Sequence, residues 1–147
     1  LKPINVNHDT EYHSSSVYGG SFDYQWPLSS WLSTSLMVHE SGGEGTMPTK
    51  SEYKYYKSGI IGLQLKIWMG PLYLGVHGGQ YYLTWIESMS AYSGIQQAGG
   101  SGYSIGFETS SGWFLAAFSD QSETFSFDEM PDQQVEGNRV MLGYRWK

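Results

Sequence analysis

Apolar and polar residues alternate with a period of two along most of this chain. Over residues 17–26, Tyr18, Gly20, Phe22, Tyr24 and Trp26 fall on one face, and Val17, Gly19, Ser21, Asp23 and Gln25 on the other. Over residues 31–39, Leu32, Thr34, Leu36 and Val38 oppose Ser33, Ser35, Met37 and His39. Further on, Ile61, Leu63, Leu65 and Ile67 oppose Gly62, Gln64 and Lys66, and Tyr103, Ile105 and Phe107 oppose Ser104, Gly106 and Glu108. At the end, Val140, Leu142, Tyr144 and Trp146 oppose Arg139, Met141, Gly143 and Arg145. This is the period of a β-strand, whose successive side chains leave opposite faces.

Two stretches fit the pattern less simply. Continued from Leu72, Leu74 and Val76, strict alternation places Gln80 on the apolar face. A β-bulge at Gly78 and Gly79 is therefore expected, turning Tyr81, Leu83 and Trp85 onto that face. Over residues 113–125 either Trp113, Leu115 and Ala117 or Phe114, Ala116 and Phe118 belong to it.

Connections alternate in length. Residues 27–30, 69–71 and 110–112 are tight, whereas residues 8–15, 40–57, 87–101 and 128–138 are long and polar. Long and short connections thus fall at opposite strand ends. With the weak opening segment, residues 1–7, the pattern predicts eight strands in one domain spanning residues 1–147. An antiparallel up-and-down meander of this length removes its edges by closing into a β-barrel.

Composition decides which face meets water. Charged residues are 15% of the 147, against roughly 25% in an ordinary soluble domain, and there are 19 Gly, 24 aromatics (6 Trp, 12 Tyr, 6 Phe) and no Cys. The polar face is made of Gly and Ser with isolated ions, too sparse in charge for the outside of a soluble barrel. Small and polar side chains suit the narrow interior of an eight-stranded barrel, and the apolar face suits hydrocarbon. Tyr24, Trp26, Tyr144 and Trp146 lie near strand ends, where a lipid-facing aromatic belt belongs. The expectation is a transmembrane β-barrel, since only helices and closed barrels satisfy every backbone group in lipid. Inside it, Asp23, Lys66, Glu108, Arg139 and Arg145 form a predicted charge network that plugs the barrel. A net charge of −6 offers no footprint for nucleic acid, and the absence of Cys excludes a disulfide framework. No segment reads as a secretion signal, and the chain opens on Leu1. Either a leader has been removed or the first residues lie outside this sequence.

The alternating apolar run Val140, Leu142, Tyr144, Trp146, in its Gly143-Tyr144-Arg145-Trp146 setting, marks the last strand of bacterial outer-membrane barrels. With the rhythm of short turns and long loops, the chain resembles the OmpA/OmpX type of small eight-stranded outer-membrane protein. The likeness extends over residues 16–147 in pattern and over the last strand in motif. It departs at Lys147, which follows the aromatic that usually ends such chains, and at Pro3 in the short first strand. The resemblance implies a bacterial outer-membrane location, with both termini and the tight turns periplasmic. Residues 40–57, 87–101 and 128–138 would then lie outside the cell. It implies contact with outer-membrane lipids and lipopolysaccharide, and an extracellular or envelope protein partner reached through those loops.

Candidate chemistry is thin. His8, Asp9, Glu11, His13 and Ser14 to Ser16 hold the ingredients of an acyl-transfer site, and some barrels of this kind modify lipid A, but ingredients in a polar loop are not geometry. His8 and His13 match no short zinc spacing. Gly99, Gly100 and Gly102 precede no helix and are no phosphate cradle. His39 and His77 fall on the interior face. No cofactor or metal is expected. The favoured reading is a non-enzymatic scaffold that displays loops or serves in an envelope assembly. A lipid A-modifying acyl-transfer or deacylase barrel, a narrow porin and, last, a soluble lipocalin-like barrel are the alternatives.

Overall fold

The computed structural model describes residues 5–6, 17–44, 55–88, 91–92, 94–127 and 130–146, and among them there is no helix. The strands are β1 (Asn5–Val6), β2 (Val17–Pro27), β3 (Leu32–Glu44), β4 (Tyr55–Met69), β5 (Leu72–Ser88), β6 (Ala91–Tyr92), β7 (Gln96–Glu108), β8 (Trp113–Ser122), β9 (Phe125–Phe127), β10 (Met130–Gln133) and β11 (Val135–Tyr144). The seven long strands pair in the order β2, β3, β4, β5, β7, β8, β11, each antiparallel to the next. Short β1 adds to the outer edge of β11 through Asn5 and Val6, β6 extends the edge of β5, and β9 and β10 form a separate hairpin.

The tight turns follow from local sequence. Gly70 takes a φ of 65° between Met69 and Leu72, a position that opens a two-residue hairpin and that a side chain would strain. Gly112, the last residue of the turn before β8, has a φ of 97°, and its carbonyl accepts the Arg145 amide, tying the last strand end to that turn. Strands reach well into the stretches read as loops. β3 continues to Glu44, β4 starts at Tyr55, β5 runs to Ser88, β7 starts at Gln96 and β11 at Val135, so residues 40–57, 87–101 and 128–138 are partly ladder.

The sheet curls strongly. Laid flat, seven strands would hold β2 and β11 about 29 Å apart. Instead Asp23 of β2 and Arg145, just past β11, approach to 4.0 Å, so the wall is barrel-like and its edges stand within side-chain reach. Polarity is inverted relative to a soluble core. Ser33, Ser35, Gln64, Lys66, His77 and Ser104 are buried inside, while Leu63, Val76, Ile105, Leu115 and Leu142 are exposed outside.

One expectation is corrected. The ladder from β4 to β5 runs without interruption through Gln64↔His77, Leu63↔Gly78, Gly62↔Gly79 and Ile61↔Gln80, and that from β5 to β7 is equally regular. No bulge forms at Gly78 and Gly79. Gln80 is exposed on the outer face, and Tyr81, Leu83 and Trp85 are buried inside. Room for these rings explains the regular ladder. A Cβ at Gly100 would meet the Tyr81 ring at 2.6 Å, one at Gly102 the His77 ring at 2.5 Å, and one at Gly106 the Tyr73 ring at 2.2 Å. Large inward side chains of β5 therefore lie over bare backbone of β7, and the glycines are spent on packing rather than on a kink. In β8 the outward set is Trp113, Leu115 and Ala117, with Phe114, Ala116 and Phe118 turned inward.

Candidate functional site

The interior holds three layers. At the tight-turn end, Asp23 from β2, Lys66 from β4, Glu108 from β7 and Arg145 beyond β11 converge. Lys66 Nζ donates to Asp23 Oδ2 and, at 3.2 Å, to Gln25 Oε1; Arg145 Nη1 donates to Glu108 Oε2; Arg145 Nη2 faces Asp23 at 4.0 Å. Two anions and two cations form a neutral chain in the order Lys66, Asp23, Arg145, Glu108, and Lys66 also lies 5.2 Å from the centre of the Tyr73 ring. Just above Lys66, Gln64 Nε2 donates to Ser104 Oγ at 2.7 Å across β5; on its turn side, Trp68 Nε1 donates to Ser33 Oγ at 2.8 Å. Buried ions are tolerated because each finds a partner.

The middle layer centres on Asp120 of β8. Its Oδ1 lies 2.7 Å from His77 Nε2, accepts from Tyr81 Oη at 2.9 Å and from Arg139 Nη2 at 3.3 Å, while its Oδ2 is 3.0 Å from Arg139 Nε. The Arg139 guanidinium also lies over the Phe118 ring at 4.4 Å. Arg139 is therefore not part of the chain formed by Lys66, Asp23, Arg145 and Glu108. It belongs to a second cluster whose acid, Asp120, the sequence reading passed over.

Above these layers, toward the loop end, the interior turns apolar. Leu83 and Trp85 of β5, Tyr56 and Ile60 of β4, Ala98 of β7, Phe125 of β9 and Val135 of β11 are all buried in a hydrophobic core. An interior that is polar throughout was expected from the Gly- and Ser-rich face. The upper ends of the strands instead pack around this apolar cluster, with Ser41, Ser58, Thr84 and Ser122 buried beside it.

On the outside, Tyr24, Trp26, Tyr144 and Trp146 project near the tight turns. Tyr24 and Trp26 meet edge to face at 4.7 Å, and Trp113, Tyr144 and Trp146 form a chain with centroid spacings of 5.4 and 5.7 Å. Thr34, the polar member of the apolar stripe on β3, donates its hydroxyl to the Gln64 carbonyl at 3.1 Å and so presents no free donor outside. Toward the loop end, Tyr82 reaches over Gly59 to donate to Glu40 at 3.1 Å, and Lys57 pairs with Glu40 at 3.4 Å.

The acyl-transfer ingredients His8, Asp9, Glu11, His13 and Ser14 to Ser16 lie outside the described residues. Among the described residues, no group of three or more metal-ligating side chains is gathered. The nearest approach to a catalytic relay is His77 with Asp120, but His77 Nδ1 has no hydrogen-bond partner, so no nucleophile completes it. Comparison of the chain with protein-family models, curated proteins and solved structures gives no match in any of the three.

Proposed function

We propose that this chain spans a bilayer as an eight-stranded outer-membrane barrel of the OmpA/OmpX type, with a plugged interior, and works as a scaffold that carries loops rather than as an enzyme or channel. The observation that carries the reading is the inversion of polarity along single strands. In β4, Leu63 is 61% exposed and its neighbour Gln64 is 1% exposed. A monomer in water that exposed this whole stripe, repeated around the wall, would far exceed the few hundred Å² of contiguous apolar surface that soluble proteins carry. A tilted strand needs about 9 to 11 residues to cross the hydrocarbon, and the seven long strands supply 10 to 17.

In this reading Asn5 and Val6 belong to the eighth strand, which fills the slot between β11 and β2. Pairing of Asn5 and Val6 with β11 supports that position. Neutral, mutually bonded ions inside argue against conduction, because an ion entering would have to displace a partner already held. In this reading the tight turns and both termini face the periplasm. Lipids and lipopolysaccharide surround the apolar band, and the loop end, braced by its apolar core, meets any partner outside the cell.

The test is behaviour in detergent. The purified chain should need detergent or lipid to stay dispersed, and its gel mobility should change on boiling as the barrel unfolds. A monomer that remains in solution without detergent overturns the membrane reading.

A further inference from the structure

Above the apolar band, the outer wall differs sharply from one side to the other. On β3, β4 and β5 its polar groups are spent on each other, through Lys57, Glu40 and Tyr82. On β7, β8 and β11 they are not. Ser101, Ser119, Gln121 and Asn138 face outward and make no side-chain hydrogen bond, nor does neighbouring Gln80 on β5. The ladder sets them side by side, through Ser101↔Gln121, Ser119↔Asn138 and Tyr103↔Ser119. Tyr103, at 66% the most exposed large hydrophobic side chain of β7, stands at the top of the apolar band between Val76 and Ser119.

Three strands of this strip cover about 10 Å across and about 7 Å along the chain. It offers amides and hydroxyls, each able both to donate and to accept, beside one flat ring, and it contains no cation. Its loop-side rim is acidic: Glu136 pairs with Gln121 across the ladder, and the Glu123 carboxylate lies against Gly99. Among the described residues the one cation on the outer face is Lys57, already paired with Glu40. A phosphate would meet repulsion here. Sugar hydroxyls would find partners, and the apolar face of a sugar ring would find Tyr103.

We infer that the strip formed by Tyr103, Ser101, Ser119, Gln121 and Asn138 binds the uncharged sugar head group of a glycolipid whose acyl chains lie along the band below it. This rests on the membrane-spanning reading and adds that the lipid is held by its sugar and not by phosphate.

The full chain, refolded in detergent, is moved into phosphatidylcholine nanodiscs doped with either digalactosyldiacylglycerol or phosphatidylglycerol, in the presence of a metal chelator. Retained lipid is then counted by native mass spectrometry. The galactolipid should be retained about tenfold over phosphatidylcholine, a difference of about 1.4 kcal/mol. Tyr103→Ala, or Gln121→Ala with Asn138→Ala, should bring retention down to the phosphatidylcholine level, while Tyr103→Phe and Lys57→Ala leave it unchanged. The wild-type preference is read without any variant, so a variant that misfolds does not spoil the test. Equal retention of all three lipids, or a preference for phosphatidylglycerol that Lys57→Ala removes, overturns the inference. A wild-type chain that will not enter the nanodisc overturns the membrane reading as well; one that enters and shows the boiling shift without lipid preference overturns the sugar strip alone.

Discussion

His77 and Asp120 meet at 2.7 Å from strands that are not neighbours, β5 and β8, with β7 between them. The contact is allowed because Gly102 of β7, beneath the His77 ring, has no side chain to block it. Asp120 also holds Arg139 and Tyr81, so it is the single acceptor for donors from two strands. Asp120→Asn removes the counter-charge of a largely buried guanidinium. The expected cost is about 3 to 5 kcal/mol, read from the midpoint of denaturant unfolding in lipid vesicles. A cost below about 1 kcal/mol would show that Arg139 finds water or another partner.

The chain of ions at the tight-turn end should be more forgiving. Lys66→Met removes the closest partner of Asp23, yet Arg145 already stands 4.0 Å away and Asp23 is 22% exposed. The expected loss is about 2 to 3 kcal/mol, at or below the low end for a broken buried pair, and Asp23→Asn added to Lys66→Met should recover part of it. A double variant that simply sums the two single losses would mean that the pair is not coupled.

Charge on the outer face should be costly by depth. Leu63→Arg places a cation in the middle of the apolar stripe and should destabilise the barrel by about 2 to 4 kcal/mol in vesicles. Gln80→Arg, outward but beyond that stripe, should cost about 0 to 1 kcal/mol. Equal costs would place both sites in water.

A methyl group should be felt where the rings of β5 cover β7. At Gly102 a Cβ would lie 2.2 Å from the Ser119 carbonyl oxygen as well as against His77, so Gly102→Ala should cost about 1 to 3 kcal/mol. At Gly20 nothing lies within 4 Å, and Gly20→Ala should fall within about 0.5 kcal/mol of the parent. Unfolding midpoints of the two variants compared side by side check this; similar shifts would contradict the packing described for β5 and β7.

The parent protein should pass no steady current in a planar bilayer, because the paired ions Asp23, Lys66, Glu108 and Arg145 and the cluster at Asp120 lie one above the other in the interior. A stable conductance would mean that these contacts open in the membrane.

How much of this was written in the alternation can be traced residue by residue. Faces of β3, β4, β7 and β11 follow from period two alone, because a one-residue slip would turn a whole Leu or Ser set over. At Gly78 the alternation misleads, because the apolar stripe of β5 does not run the full strand. At 17 residues the strand outlasts the stripe, and Gln80 needs no rescue. Asp120 was missed for a related reason: with the face of residues 113–125 undecided, its inward direction could not be assigned. The apolar interior at Tyr56, Ile60, Leu83 and Trp85 was hidden because those residues share a face with Gln64, Lys66 and His77, and composition averages the two levels together. The pairing of Lys66 with Asp23, rather than with Glu108, depends on side-chain reach across the interior, which no spacing along the chain encodes.

The apolar core beneath the loop end also bears on how such a chain changes over generations. Trp85, Leu83, Ile60 and Phe125 hold the upper strand ends together from within, so the connections above them are relieved of that duty. Their sequence and length can drift, be exchanged or be replaced by a grafted peptide at little cost to the wall. On the proposed orientation, selection from outside the cell acts on a surface that is almost free to vary, mounted on a frame that is not.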